Sequence, residues 1–265
     1  MTLLVGIQTE LPYLTTALAM DRVESKVKSE IPVVILAGGK GTRMFGSNAP
    51  MPKTLVPVIN GKPILWHIIN HYAYYGYKKF YVLGGFLVDQ ITKWVHETNF
   101  DNVEVSVFHT GEDTQTGGRI RKIRDLLYQH PFALTYGDGI SNVDLYKVWK
   151  ALYPYSIEGV VTAVHPSARF GKMKLNESCR VEEFMEKPER DGWINGGFFM
   201  FNPSMLDLID GDDTVLERDV LPYLATEGLL YAHKHEGFWT CIDTPADLEY
   251  INSLKYVPLP YLNNR

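Results

Sequence analysis

The 265-residue sequence is 45% hydrophobic, enough to bury a sizeable core as one large or two merged domains. Its 26 basic and 31 acidic residues give a net charge of −5 and lie scattered without long runs, which excludes a general binder of nucleic acid or of membrane surfaces. Two cysteines, Cys179 and Cys241, with no CxxC or Cys/His cluster, exclude a disulfide framework and a structural zinc site, and they fit a cytoplasmic protein.

Residues 1–30 read as an N-terminal extension or linker. No basic segment precedes their apolar part, Glu10 and Pro12 interrupt it, and no window reaches the roughly 18 apolar residues of a membrane span. From residue 31 the pattern alternates. Residues 32–37 (PVVILA) predict a buried strand, 63–76 a helix closed by Gly76, 79–85 a strand and 87–99 a helix. The alternation continues with a strand at 102–110, a helix at 119–129, a strand at 131–139 and a helix at 143–153. Repeats of this length imply an α/β fold: a Rossmann-like, doubly wound, mostly parallel sheet with helices on both faces and ligands at the carboxyl ends of its strands.

After residues 159–166 the text changes to short strand-like pieces at 171–176, 180–186 and 196–203, a smaller mixed β subregion. Helices are then predicted at 204–210, 216–228 and 245–254, and the proline-bearing tail 256–265 is expected to pack loosely.

Residues 33–44, VVILAGGKGTRM, leave the first strand through Gly38, Gly39 and Gly41. A glycine-rich turn after a strand exposes backbone N–H groups and lets a phosphate approach closely. The named alternatives fail: GxGxxG needs glycine where Met44 stands, which weighs against a dehydrogenase, and the Gly61-Lys62 pair is followed by Pro63, not Ser or Thr. Arg43 adds a planar cationic fork suited to phosphate oxygens. Ten residues on, Lys53 lies among Pro50, Pro52 and Pro57, which reduce its freedom and favour a positioned charge.

Asp138, between Gly137 and Gly139, sits where a metal ligand on a parallel sheet is expected; Asp144 or Asn142 is better placed to cap the next helix. Asp243 also follows an apolar strand, where it is either a metal ligand or a cap, with Thr244 and Pro245 opening the last helix. Asn195, Gly196 and Gly197 interrupt an aromatic strand, which suggests a bulge or the close approach of a sugar. His233 and His235 alternate on a strand with only Glu236 beside them, too few ligands for zinc.

The run LAGGKGTRM, followed by PMPKTLVPV and GKPILWHIINHY, resembles the opening of the sugar-phosphate nucleotidyltransferases, which make nucleotide sugars from a nucleoside triphosphate and a sugar 1-phosphate. The later motifs TGEDTQTGGRIRKI, LTYGDGISNVDL, FMEKPERDGWINGGFFMFNP and HEGFWTCIDTPADLEYINSL are similar to those of its glucose-1-phosphate cytidylyltransferases, collinearly over about residues 31–255. The resemblance implies a nucleotidyltransferase domain over 31–255, with a nucleotide-binding part to about 150 and a sugar-phosphate-binding part beyond it. Its substrates would be CTP and glucose 1-phosphate. UTP or dTTP, or another phosphorylated acceptor, is the alternative, and a non-catalytic nucleotide-sugar binder the second.

On this resemblance Mg²⁺ is held by Asp138 and Asp243, and Lys187 contacts the sugar phosphate together with Asn195, Gly196 and Gly197. The nucleotide is met by Leu36, Ala37, Gly38, Gly39, Gly41, Thr42, Arg43, Thr114, Gly118, Arg119 and Asp138, with Arg43, Lys53 and Lys187 serving catalysis. A homo-oligomer is expected, with neither nucleic acid nor membrane as partner. The sequence departs from the pattern at Thr54, where relatives carry proline, at Met51, where the cytidylyltransferases carry lysine, and in a shortened segment before residue 109.

Overall fold

Six consecutive buried residues, Pro32–Ala37, form β1 at the heart of a seven-stranded sheet. The computed structural model describes residues 29–46, 49–153, 156–166, 171–186 and 192–262. β1 is apolar throughout because both of its faces are covered, as a central parallel strand requires. Val33, Ile35 and Ala37 enter one hydrophobic cluster and Val34 and Leu36 the other, so the two-residue period of the strand feeds a core on each side of the sheet.

A single turn, α1 (Thr42–Phe45), follows the glycines, and α2 (Ile64–Tyr74), β2 (Lys79–Gly84), α3 (Val88–Glu97) and β3 (Glu104–His109) come next. α2 is buried nearly all round, as the apolar run ILWHII demands. α3 buries only Val88 and Ile91 and leaves its charged residues outside. β2 pairs in parallel with β1, and β3 in parallel with β2. The chain then runs through α4 (Thr116–Arg121) to β4 (Phe132–Tyr136), which pairs in parallel with the other edge of β1. Strand order reverses between β1 and β4, and the crevice at such a reversal, beyond the carboxyl ends, is where doubly wound sheets hold ligands.

The strand-like pieces of the second half take two courses. β6 (Gly159–Val164), β9 (Ile194–Phe201) and β10 (Leu230–Lys234) extend the main sheet to give the order β10-β6-β9-β4-β1-β2-β3, with β9 antiparallel to both of its neighbours. Among the described residues, β7 (Lys172–Leu175) and β8 (Val181–Met185) pair only with each other, in an exposed hairpin. β5 (Gly139–Ser141) and β11 (Trp239–Cys241) form a separate antiparallel ribbon. α5 (Leu145–Lys150) is capped by Asp144, whose carboxylate accepts from the N–H groups of Tyr146 and Lys147, while α6 (Leu221–Thr226) and α7 (Pro245–Ser253) complete the helices.

Four expectations need correction. The helix read over 119–129 begins at Thr116 and gives way to a short 3₁₀ turn at Arg124–Leu126. Residues 203–208 are 3₁₀ rather than α-helical, and the helix read from 216 opens with a π-helical turn, Leu216–Val220. The C-terminal tail is not loose: Val257, Leu259 and Tyr261 are buried, and the Tyr261 hydroxyl lies 3.0 Å from Nδ1 of buried His67. Lys187 and residues 1–28 lie outside the described residues.

Candidate active site

β1 delivers the chain to the crevice at Ala37, and residues 38–41 turn it into α1. Gly38 has no room for a side chain: a Cβ there would lie 2.1 Å from Cζ of Arg119. Gly39, by contrast, faces open space. The Arg119 guanidinium is buried and works as a staple. Its Nη1 donates to Thr110 Oγ1 at 2.6 Å and to the Gly111 carbonyl at 2.7 Å, and its Nη2 donates to the carbonyls of Gly38 and Glu112 at 3.2 Å each. The turns after β1 and β3 are thereby fixed to one another. Burial pushes the guanidinium below its ordinary pKa.

The acidic groups are brought together by the β5–β11 ribbon. Cys241 lies opposite Gly139, and the Ile242 N–H donates to the Asp138 carbonyl at 2.9 Å, so Asp138 just before one strand and Asp243 just after the other share the same end of the ribbon. Asp243 is free of capping duty because Thr244 and Asp247 form the capping box of α7. Lys53, on the turn after Pro52, reaches between the two carboxylates: Nζ is 2.8 Å from Asp138 Oδ2 and pairs also with Asp243 Oδ1, while Arg43, 76% exposed, pairs with Asp243 Oδ2 from outside.

Burial draws the Lys53 ammonium pKa down, but the charge of Asp138 and the hydrogen bonds to both aspartates outweigh it, and the net shift is upward. The Cys241 thiol completes the group, with one donor atom each from Asp138, Cys241 and Asp243 within 4.8 Å of one another. Burial first, and the charge of Asp138 second, push that thiol up to about 12, and the hard oxygen donors of the group are the two carboxylates. Two converging carboxylates suit a hard, oxygen-seeking dication, to which a triphosphate adds further oxygens.

These groups border one cleft of about 590 Å³, lined by residues 36–43, 53, 54, 112–116, 119, 136–138 and 243. Of the residues singled out from sequence, Leu36, Ala37, Gly38, Gly39, Gly41, Thr42, Arg43, Lys53, Thr114, Arg119, Asp138 and Asp243 all lie on it. Gly118 does not: a Cβ there would meet the Asp212 carbonyl at 2.4 Å, so this glycine serves packing between α4 and the 210–214 loop. Asn195, Gly196 and Gly197 stand at the start of β9, where the pairing with β6 shifts register, and are joined to the cleft by Asn195 Nδ2, which donates to the Tyr136 hydroxyl at 3.0 Å.

Sequence reasoning missed Tyr136, Cys241 and Glu217. Tyr136 adjoins the singled-out Gly137 and Asp138, and strand alternation would have placed Cys241 on the side of Asp243. Glu217 lies in the run GDDTVLERDVLPYLATEG, which is part of the resemblance but marks no particular side chain.

A mostly parallel α/β sheet with a glycine turn, two cations and two carboxylates at its switch point defines a phosphate-handling, nucleotide-binding enzyme. Residues 32–254 match the family model described as Nucleotidyl transferase, and the chain belongs to that family. It is 36% identical over 244 residues to the glucose-1-phosphate cytidylyltransferase of Salmonella typhi, covering 83% of this chain and 94% of that protein. It is 31% identical over 222 residues to mannose-1-phosphate guanyltransferase beta-A of Xenopus laevis, covering 81% and 61%. The crystal structure of HddC from Yersinia pseudotuberculosis, solved also in complex with GMP-PN, shares the fold with a TM-score of 0.68 at 24% identity, covering 83% of this chain and 97% of that one. No helix among the described residues is long and apolar enough to cross a membrane.

Proposed function

We propose that this enzyme joins CTP to glucose 1-phosphate, releasing pyrophosphate and forming CDP-glucose. The convergence of Asp138 and Asp243 on Lys53, beside the glycine turn, carries the proposal. A phosphate oxygen of the sugar phosphate attacks the α-phosphorus, the new P–O bond forms as the bond to the β-phosphate oxygen breaks, and pyrophosphate leaves. The sugar phosphate is already anionic, so no protein nucleophile is needed. The task is to bring two polyanions together and to stabilise charge on the leaving group.

Residues 38–41 offer backbone N–H groups to the triphosphate, and exposed Arg43 swings onto its outer oxygens. Lys53 holds the two carboxylates in place and supplies positive charge where the substrates meet. Asp138 and Asp243 are the residues that would hold Mg²⁺, which when bound neutralises triphosphate charge and orients the α-phosphorus. Identity to the cytidylyltransferase over most of both chains supports cytosine and glucose.

A pyrophosphate-release assay over four nucleoside triphosphates and several sugar 1-phosphates, with and without Mg²⁺, tests this. CTP with glucose 1-phosphate and Mg²⁺ should dominate, and equal turnover with GTP and mannose 1-phosphate would overturn the substrate assignment. Asp138→Asn should lower kcat by about a hundred- to a thousandfold while circular dichroism stays native; unchanged turnover would remove Asp138 from the metal site.

A further inference from the structure

A chain of hydrogen bonds runs from the nucleotide edge of the cleft to the first residues of β9. Its centre is Glu217, on the π-helical turn Leu216–Val220. The Tyr136 hydroxyl donates to Glu217 Oε1 at 2.6 Å, and the Thr116 hydroxyl donates to Oε2 at 2.7 Å. Each hydroxyl has one proton, and that proton is committed to the carboxylate, which in its ionised form only accepts. Toward their other neighbours both hydroxyls must therefore accept, and they do: Thr116 Oγ1 from the Leu216 N–H at 2.9 Å, and Tyr136 from Asn195 Nδ2 at 3.0 Å. At the far end Asn195 Oδ1 accepts from the Gly197 N–H at 2.8 Å. The amide of Asn195 is thus oriented twice over, because its oxygen must face the Gly197 N–H and its nitrogen must face a hydroxyl with no proton left to give. The Tyr136 ring is fixed as well: Gly197, at φ +80°, passes so close that a Cβ would lie 2.5 Å from Cδ2 of that ring.

We propose that Glu217 is a positioning residue for the sugar phosphate: acting through Tyr136, it locks exposed Asn195 so that the group left for a ligand is an N–H donor and not the amide oxygen. A donor at that point selects for phosphate or hydroxyl oxygens on the acceptor substrate. Because the same carboxylate holds Thr116, the nucleotide edge and the sugar edge of the site are set by one side chain. The proposal rests on the sugar-phosphate reading given above.

Glu217→Gln replaces a double acceptor with a group that can take only one of the two hydroxyl protons. Its amide nitrogen then forces the other hydroxyl to accept in competition with its present N–H donor. Tyr136→Phe keeps the ring against Gly197 and removes only the relay, and Asn195→Ala removes its end point. Steady-state kinetics should show KM for the sugar phosphate raised roughly five- to tenfold in each variant, the loss of about one hydrogen bond, with kcat within about threefold of wild type by the same measure. CTP affinity, measured by calorimetry without acceptor, should be unchanged in Tyr136→Phe and Asn195→Ala.

The double variant Tyr136→Phe/Asn195→Ala should be no worse than Asn195→Ala alone. Multiplying losses in that double variant, or an unchanged sugar-phosphate KM in both single variants, would overturn the relay, and these two variants decide the matter even where Glu217→Gln fails to fold. A wild-type enzyme whose rate depends on no sugar phosphate would instead overturn the functional reading, and the relay's purpose with it.

Discussion

The two ends of this molecule that handle its surface are built on opposite rules. At the carboxyl ends of β1 and β4 the packing is so close that a Cβ on Gly38 would strike the Arg119 guanidinium and one on Gly137 the Leu36 carbonyl, and that buried arginine stitches the turns after β1 and β3. In the β7–β8 hairpin, Met173, Leu175, Val181 and Phe184 are all about half exposed or more, and among the described residues the two strands pair with nothing but each other. Charged groups that must meet within hydrogen-bonding distance need over-determined backbones, because a cleft that relaxes by an ångström loses its pairing. The hairpin carries apolar surface without that constraint, and its residues contribute little to the stability of the chain.

The contrast is tested most severely by truncating a ring on each side. Phe198, 1% exposed and stacked on Tyr72 in the core, should cost about 3–5 kcal/mol as Phe198→Ala, read as a fall in the urea midpoint. Within the glycine turn the comparison becomes finer. Gly38→Ala must displace the Arg119 guanidinium from its carbonyls and should cost about 1–3 kcal/mol, whereas Gly39→Ala should leave the melting temperature alone and weaken triphosphate binding. A Gly38→Ala variant as stable as Gly39→Ala would mean that Arg119 moves freely.

The rigid side also carries an acid weakness. Burial pushes His71 down to about 3 and His67 to about 4, so the native state refuses protons that the unfolded chain takes up near pH 6.5. The unfolded state is therefore favoured as pH falls from about 6.5 to 4, by about 1.4 kcal/mol per pH unit for each histidine. Urea titrations across that window should show the slope, and His71→Leu should remove about half of it, leaving the share of His67. The smallest effect belongs to the hairpin: Phe184→Ser, at 59% exposed, should change stability by less than about 0.5 kcal/mol.

Much of the fold was legible because its strongest signals are long and local. The apolar run of β1, the amphipathic α3 and the openings of α5 and α7 follow from side-chain period and capping chemistry, although only the structure selects Asp144 over Asn142, and Thr244 over Asp243, as the caps. The start of α4 was hidden by Gly117 and Gly118, poor helix formers retained because the backbone of residues 212–214 passes within contact distance. A strand before Asp243 could be read, but its pairing with β5 was hidden, because the two three-residue strands lie far apart in sequence. At the site, the glycine turn and the two aspartates could be found because turn and strand-end chemistry mark them. Glu217 could not, since its bond to Tyr136 spans 81 positions and nothing in its own neighbourhood announces a partner.

The pairing of β11 with β5 also has a temporal meaning. A ribosome that has released everything through β10 has made the glycine cradle, the arginine staple and the first aspartate, yet Asp243 has still to arrive. Synthesis thus withholds the second carboxylate until β11 has emerged, and a chain stopped after β10 lacks the acidic pair together with the core side chains of Ile242, Ile251, Val257, Leu259 and Tyr261.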